Sequence, residues 1–353
     1  MIYLDYQATT PLAPEALKAM LPWLEQGHAN PHSPHRAGRQ ARAAVEVARD
    51  QVAALLPTGG RVVFTSGATE ALNWAIKGVS GGIVTTAIEH AAVLDTARAT
   101  GRPLTVLPVD GEGLVTPESM AEGTALVAAM LVNNEIGTIQ PIAALAGHAH
   151  RVGAWMLCDA VQGYGRIAIP DGVDLVALSA HKIHGPKGIG ALWIRDGITL
   201  PPLLHGGDQE GGRSGTLSPA LCAGFGAAAR LMATHAEADR VHVERLWTLA
   251  VERLGPDWTV NGSTTRRYHG NLNVRREGLD VARLMSDCRD IAFSAGSACA
   301  SGSGRTSHVL TALGLNGAQA KSSIRLGFGR YTTEAELLQA LDQLVTAAKV
   351  QRP

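Results

Sequence analysis

The feature that most limits the fold of this chain is a series of short apolar runs, spaced by helix-length segments and each ending on polar residues. They fall at 61–65 (Arg-Val-Val-Phe-Thr), 82–89 (Gly-Ile-Val-Thr-Thr-Ala-Ile-Glu), 104–109, 125–132 (Ala-Leu-Val-Ala-Ala-Met-Leu-Val), 154–158, 174–178 and 190–194. Strands that are apolar on both faces belong inside a sheet covered on both sides, and parallel pairing requires helical crossovers between them. Residues 71–78 and 91–99 supply two such helices. The fold class expected is therefore α/β: a large domain with a mainly parallel sheet sandwiched by helices, followed by a smaller α+β domain.

Ligands of open parallel sheets sit outside the carboxyl ends of the strands. Taken in order, those ends carry Gly67-Ala68-Thr69, His90, Asn134, Asp159 with Gln162, and Ser179-Ala-His181-Lys182. Each group alone is weak, and together they describe one pocket. Gly67, Ala68 and Thr69 open a helix, where free N–H groups suit a phosphate. Ser179 and His181 can hydrogen-bond the same phosphate. Lys182, just past a strand end, can hold a carbonyl cofactor as a Schiff base. A carboxylate at an apolar strand end, Asp159, is costly unless it meets a cation such as a protonated pyridine nitrogen. Gln162 can donate to a ring oxygen, and His90 can stack on an aromatic face and shuttle protons. An anionic aromatic cofactor, a Schiff-base lysine and a pyridine-facing aspartate point to pyridoxal phosphate.

Elsewhere, 14–23 and 36–56 read as helices, and a long helical region starts at Pro219 and runs to about Leu254. A shorter strand-and-helix set follows it. The domain change is placed at 236, giving a large domain over 15–236 and a small one from 1–14 with 237–353. His28, His32 and His35 lie close together, but Pro31 and Pro34 prevent a helix that would align them, and no cysteine or carboxylate completes a metal set. Cys158, Cys222 and Cys288 fall on strand or helix positions and read as small buried apolar residues. Cys299 differs. It lies among Gly, Ser and Ala in 295–304, with little to pack against, as a reactive nucleophile does. Arg325 lies in or at the edge of a strand and can grip a substrate carboxylate with two prongs.

Lys+Arg and Asp+Glu balance at 31 each, which gives no reason to expect nucleic acid or an anionic membrane as partner. The N-terminus lacks the basic and apolar regions of a signal peptide, and the scattered cysteines suit a reduced, cytoplasmic protein.

The residues resemble the cysteine desulfurases of the class V aminotransferase group. The carrying motifs are Tyr3-Leu-Asp-Tyr-Gln-Ala-Thr-Thr10, Phe64-Thr-Ser-Gly-Ala-Thr-Glu70, Glu89-His90, Val132-Asn-Asn-Glu-Ile-Gly137, Asp159-Ala-Val-Gln162, Ser179-Ala-His-Lys-Ile-His-Gly-Pro-Lys-Gly188, Arg213-Ser-Gly-Thr216, Ser294-Ala-Gly-Ser-Ala-Cys299 and Ser322-Ser-Ile-Arg325. The resemblance implies a fold-type I pyridoxal-phosphate enzyme that converts L-cysteine to L-alanine and leaves the sulfur as a persulfide on Cys299. It makes Lys182 the cofactor's anchor and proton carrier, and His90 the residue stacked on the ring. Asp159 becomes the partner of the pyridine nitrogen, Gln162 that of the ring oxygen, and Thr69, Ser179 and His181 phosphate ligands. Thr216 is implied to reach the phosphate from the second subunit of a homodimer, and Asn134 and Arg325 to bind the substrate carboxylate. A sulfur-acceptor or iron–sulfur scaffold protein is the implied partner. No resident metal is implied, since Cys299 meets a cluster only during transfer.

Two departures stand out. Relatives commonly continue the cysteine loop with a Leu-Glu-Pro-Ser-like segment, whereas this chain reads Ser303-Gly-Arg-Thr-Ser307 and ends soon after its last helix, at Gln351-Arg-Pro353. The longer tail with which housekeeping relatives dock a scaffold is expected to be missing. A selenocysteine lyase or another class V aminotransferase is the alternative, and a transaminase would have no use for Cys299.

Overall fold

A computed structural model describes residues 1–117, 120–296 and 306–351. After a short strand β1 (Ile2–Tyr3) come helices α1 (Pro14–Glu25) and α2 (Arg36–Ala53). The alternating part runs β2 (Gly60–Thr65), α3 (Ala68–Lys77), β3 (Gly82–Thr86), α4 (Ala91–Ala99), β4 (Leu104–Leu107), β5 (Thr124–Met130), α5 (Ile142–Arg151), β6 (Trp155–Asp159), β7 (Leu175–Ser179) and β8 (Gly190–Arg195). Helix α6 (Pro219–Leu254) leads to β9 (Thr259–Val260), β10 (Asn271–Arg275), α7 (Val281–Asp287), β11 (Ile291–Ala292) and β12 (Ser294–Ala295). The last elements are α8 (His308–Ala312), α9 (Gly317–Lys321), β13 (Ser323–Gly327) and α10 (Glu334–Val350).

The main sheet has the order β2-β8-β7-β6-β5-β3-β4, parallel except for β8, which runs antiparallel to both its neighbours. Alternation along each strand explains the near-continuous apolar runs. Val62, Phe64, Val127, Ala129, Met156, Cys158, Val176 and Leu178 face one core, which α2, α5 and α6 close with residues such as Val52, Leu145 and Phe225. Val63, Leu126, Ala128, Leu157, Leu175 and Ala177 face the other, which α3 and α4 close with Leu72, Trp74 and Val93. Burying such an aliphatic side chain contributes roughly 1.5–3 kcal/mol, so a polar residue within a strand would be costly. Polar residues therefore collect where the strands end.

The structure differs from the sequence reading in detail. The run 82–89 leaves the sheet after Thr86, whose pairing with Leu107, closed by the Ala87 amide on the Leu107 carbonyl at 2.9 Å, is the last of the ladder to β4. The run 291–294 divides at Phe293: β11 pairs in parallel with β1, and β12 pairs antiparallel with β13. Helices α5 and α9 were not singled out in the sequence. Ile142, Leu145, Ala146 and Ala149 do repeat at helical spacing, but small residues make that stripe faint. His35 caps α2, with its Nδ1 accepting from the Gly38 amide at 3.2 Å, which gives one of the three clustered histidines a backbone role.

A separate core forms around Leu246, Leu254, Leu272, Ile324, Leu337 and Leu344. Helix α6, 36 residues and so about 54 Å long, contributes to this core and to the α2 side of the main sheet. The change at 236 expected from the sequence lies inside this unbroken helix, so no flexible linker separates the two cores there. Among the described residues, no helix is long and apolar enough to cross a membrane.

Candidate active site

Strand β7 ends at Ser179, and the chain tightens into a single 3-10 turn, Ala180–Lys182. The turn delivers Lys182 into a cavity of about 660 Å³ at the carboxyl edge of the sheet. Gly67, Ala68, Thr69, His90, Asn134, Asp159, Gln162, Ser179, His181, Lys182 and Arg325 all line it. Helix crossovers carry these residues far apart in sequence, while parallel pairing returns each strand end to the same edge.

Lys182 Nζ donates to the Ala8 carbonyl at 2.8 Å and, in a shorter contact, to the Gln7 carbonyl. His90 caps α4, and its Nδ1 accepts from the Ala92 amide at 3.0 Å. With Nδ1 used as an acceptor, the neutral ring carries its proton on Nε2. Burial pushes His90 below its ordinary value, with Lys182 and His308 adding to the shift and Asp159 opposing it. Burial also raises Asp159, against the Val161 amide at 3.0 Å and the nearby positive charge of His90 and Lys182. A cation placed against Asp159 would restore its ionised form. Behind His90, Glu89 is fully buried, and burial pushes it up to about 8. Its Oε1 accepts from Thr86 at 2.6 Å and from the Met130 amide at 3.0 Å.

The amino end of α3 opens on the same cavity, and the first amides of a helix have no intrahelical acceptor. A Cβ on Gly67 would meet nothing within 4 Å. By contrast, one on Gly190 would lie 2.4 Å from the Leu178 carbonyl oxygen and 2.7 Å from the Gly67 carbonyl carbon. Glycine at 190 therefore lets β8 support the α3 turn from behind. Arg213 braces the turn by pairing with Glu70 at 2.8 Å, and Glu70 accepts from the Ser66 amide at 2.7 Å. Burial opposes ionisation of Glu70, but Arg213 and Ser66 outweigh it and hold the carboxyl below its ordinary value. His181 Nδ1 lies 3.1 Å from Thr9 Oγ1, and burial with Lys182 and Lys187 pushes its ring down to about 4.

Arg325, on β13, is 1 % exposed and pairs with Asp5 at 2.8 Å; Nη1 donates to the Asn134 carbonyl at 2.9 Å. Its Nε is buried without a partner among the described residues. Gln162 Nε2 donates to the Gln7 carbonyl at 2.9 Å. Two expected site residues are not brought to the cavity by the described chain. Thr216 is exposed and does not line it, and Cys299 lies outside the described residues. Sequence reasoning missed Gln7, Ala8, Thr9 and Lys187 as lining residues. Gln7 and Ala8 act through backbone carbonyls, which leave no side-chain signature.

The donor set has a definite chemistry. It combines an amine, a buried carboxylate, a stackable imidazole and a helix amino end with Ser179 and His181 beside it. A group bearing an aldehyde, a basic ring nitrogen and a phosphate matches these features, as pyridoxal phosphate does.

Comparison with known proteins agrees. The family model described as "Aminotransferase class-V" matches residues 2–340. A mitochondrial cysteine desulfurase of Saccharomyces cerevisiae is 44% identical over 360 residues, 95% of this chain and 72% of that protein. The cysteine desulfurase IscS of Rickettsia bellii is 40% identical over 361 residues, covering 95% of this chain and 88% of its own. The chain belongs to the class V aminotransferases, among the cysteine desulfurases. Solved desulfurase-like folds superpose on it along nearly its whole length. A structure named as a NifS-like protein has a TM-score of 0.89 at 31% identity, covering 99% of both chains. A structure described as SspA in complex with cysteine has a TM-score of 0.82 at 35% identity, covering 94% of this chain and 100% of its own.

Proposed function

We propose that this cysteine desulfurase uses pyridoxal phosphate to take sulfur from L-cysteine, releases L-alanine, and holds the sulfur as a persulfide on Cys299. The observation that carries the reading is the convergence of Lys182, His90, Asp159 and the α3 amino end in one cavity. Arg325, which also lines the cavity, suits a second, carboxylate-bearing molecule. When bound, the cofactor supplies an electron sink that allows the substrate C–H bond beside the amine to ionise.

The chain's own residues have separate tasks. Lys182 Nζ would hold the cofactor's aldehyde end and would carry the proton to and from the substrate α-carbon. Asp159 keeps the ring nitrogen protonated. His90 would stack on the ring, with its Nε2–H as the exchangeable proton. Ala68, Thr69, Ser179 and His181 hold the phosphate, Gln162 the ring oxygen, and Asn134 with Arg325 the substrate carboxylate. Thr216, exposed on the single chain, completes the phosphate cradle from the second subunit of a homodimer.

The attack on sulfur belongs to Cys299. Its thiolate forms an S–S bond to the substrate sulfur as the substrate C–S bond breaks, and the electron pair left on carbon is protonated to give alanine. Cysteine plus thiol thus becomes alanine plus persulfide, with no outside oxidant. Gly296 and Ser307, on either side of Cys299 in the chain, each bond to a residue near Arg325 or Asn134 in sequence. The Gly296 amide donates to Ser323 at 2.7 Å, and Ser307 Oγ donates to Glu135 at 2.5 Å.

A sulfur-acceptor protein of iron–sulfur cluster assembly then collects the persulfide sulfur. The free, buried thiols of Cys158, Cys222 and Cys288 suit a reducing compartment, the cytoplasm. The test is mass analysis of the Cys299 peptide, under non-reducing conditions, after a short incubation of the loaded protein with L-cysteine. One added sulfur on Cys299, formed together with alanine, is the expected result. Sulfide release with Cys299 never modified would refute the reading.

A further inference from the structure

Alternation along β10 and β13 divides their side chains between two faces. Leu272, Val274, Ile324 and Leu326 enter the small-domain core, while Asn271, Asn273 and Arg325 occupy the opposite face. Asn273 stands directly across the ladder from Arg325. All three are buried, Asn273 completely. A buried amide is costly unless its hydrogen bonds are made, so each asparagine must find partners outside its own sheet.

The partners are the carbonyls of residues 133–135, the turn just beyond β5 of the main sheet. Asn271 Nδ2 donates to the Asn133 carbonyl at 3.4 Å and to the Asn134 carbonyl at 3.2 Å. Arg325 Nη1 donates to the same Asn134 carbonyl at 2.9 Å, and Asn273 Nδ2 to the Glu135 carbonyl at 3.0 Å. Asn273 Oδ1 accepts in turn from Asn261 Nδ2 at 2.8 Å. The turn is also braced from its own side. Asn133 Oδ1 accepts from the amides of Glu135 at 2.8 Å and Ile136 at 2.9 Å, and its Nδ2 donates to the Ile88 carbonyl at 2.8 Å. Contact with β10 is close: a Cβ on Gly137 would lie 3.2 Å from both the Cβ and the carbonyl oxygen of Asn271. Asn133 and Glu135 are buried, and Asn134 between them is partly exposed and lines the cofactor cavity.

We propose that Asn271 and Asn273 are positioning residues for the substrate carboxylate. Asn134 comes from the main sheet and Arg325 from the small one, so a two-sided grip on one carboxylate depends on the register between the sheets. The asparagines fix that register carbonyl by carbonyl, and a small displacement of either side would spoil the grip. The role rests on the reading of Asn134 with Arg325 as the carboxylate site, and it favours amino acids with a free α-carboxylate as ligands.

The test is absorbance titration of the cofactor-loaded protein with L-alanine and with L-alaninamide, which lacks the carboxylate. Neither carries sulfur, so the readout is independent of Cys299. N271L removes one donor at similar volume. N273S removes the other without added bulk, which guards against misfolding of N271L. Each variant should bind L-alanine at least about tenfold more weakly than the parent, with L-alaninamide affinity and cofactor absorbance unchanged. Parent-like L-alanine binding in both variants, or equal weakening of both ligands, would reduce the asparagines to structural support and overturn the proposal. The D5L/R325M protein separates this failure from that of the underlying reading. If it too binds L-alanine like the parent, the carboxylate site itself lies elsewhere and the proposal falls with it.

Discussion

Replacing Asp5 by Asn separates the stabilising and binding roles of Arg325. The guanidinium is 1 % exposed and Asp5 19 % exposed, and no other carboxylate among the described residues pairs with it. Ser294 Oγ joins the pair, donating to Asp5 at 2.9 Å. Removing one partner of a buried pair costs roughly 3–5 kcal/mol, because the other charge is left uncompensated. Asn preserves the shape and one acceptor, so D5N should fall near the lower figure, about 3 kcal/mol. That is a large share of the ~5–15 kcal/mol that holds a typical protein folded. Urea unfolding followed by circular dichroism measures the loss. The double variant D5L/R325M should recover most of it, since replacing both charges by apolar groups is often neutral. The recovered protein should still fail to bind L-cysteine through its carboxylate, seen as a raised KM or lost binding. A D5N protein within about 0.5 kcal/mol of the parent, or a double variant no more stable than D5N, would refute the reasoning.

Three further outcomes follow from the same structure. Burial holds His184 at about 4, so as pH falls from the ordinary histidine range the unfolded chain takes up the proton first and stability drops, by roughly 3 kcal/mol at most. H184N, which tolerates the positive φ of 67° at this position, should flatten that acid slope in unfolding curves between pH 7 and 4; an unchanged slope would count against it. Glu89, raised to about 8, has the opposite sign: stability is lost as pH climbs from the ordinary carboxyl range toward 8, so E89Q should fold normally at pH 6 and be relatively more stable than the parent at pH 8. G190A should displace the amino end of α3, costing about 1–3 kcal/mol and loosening cofactor retention on dialysis; parent-like retention would show that the cradle does not depend on that close approach.

Much of this architecture was legible in the chain because the physical demands were simple. Strands covered on both faces need apolar residues at both parities, so 125–132 and 174–178 stood out, and strand ends marked the pocket at His90, Asp159 and Lys182. Where several roles overlapped in one residue, the signal failed. His90 as the cap of α4, Gln7 and Ala8 as carbonyl acceptors, and Gly190 as a close-approach residue all act through backbone geometry that no residue pattern announces. Helix α5 was faint because alanines and Gly147 dilute its apolar stripe.

The central claim, sulfur abstraction from L-cysteine by Cys299, is tested most directly by measuring alanine and sulfide together. The cofactor-loaded protein is incubated with L-cysteine and a thiol reductant, beside C299A. Equal amounts of alanine and sulfide from the parent, both lost in C299A while cofactor absorbance is retained, are predicted. Undiminished sulfide from C299A, or amino transfer to a keto acid without sulfide from the parent, would contradict it.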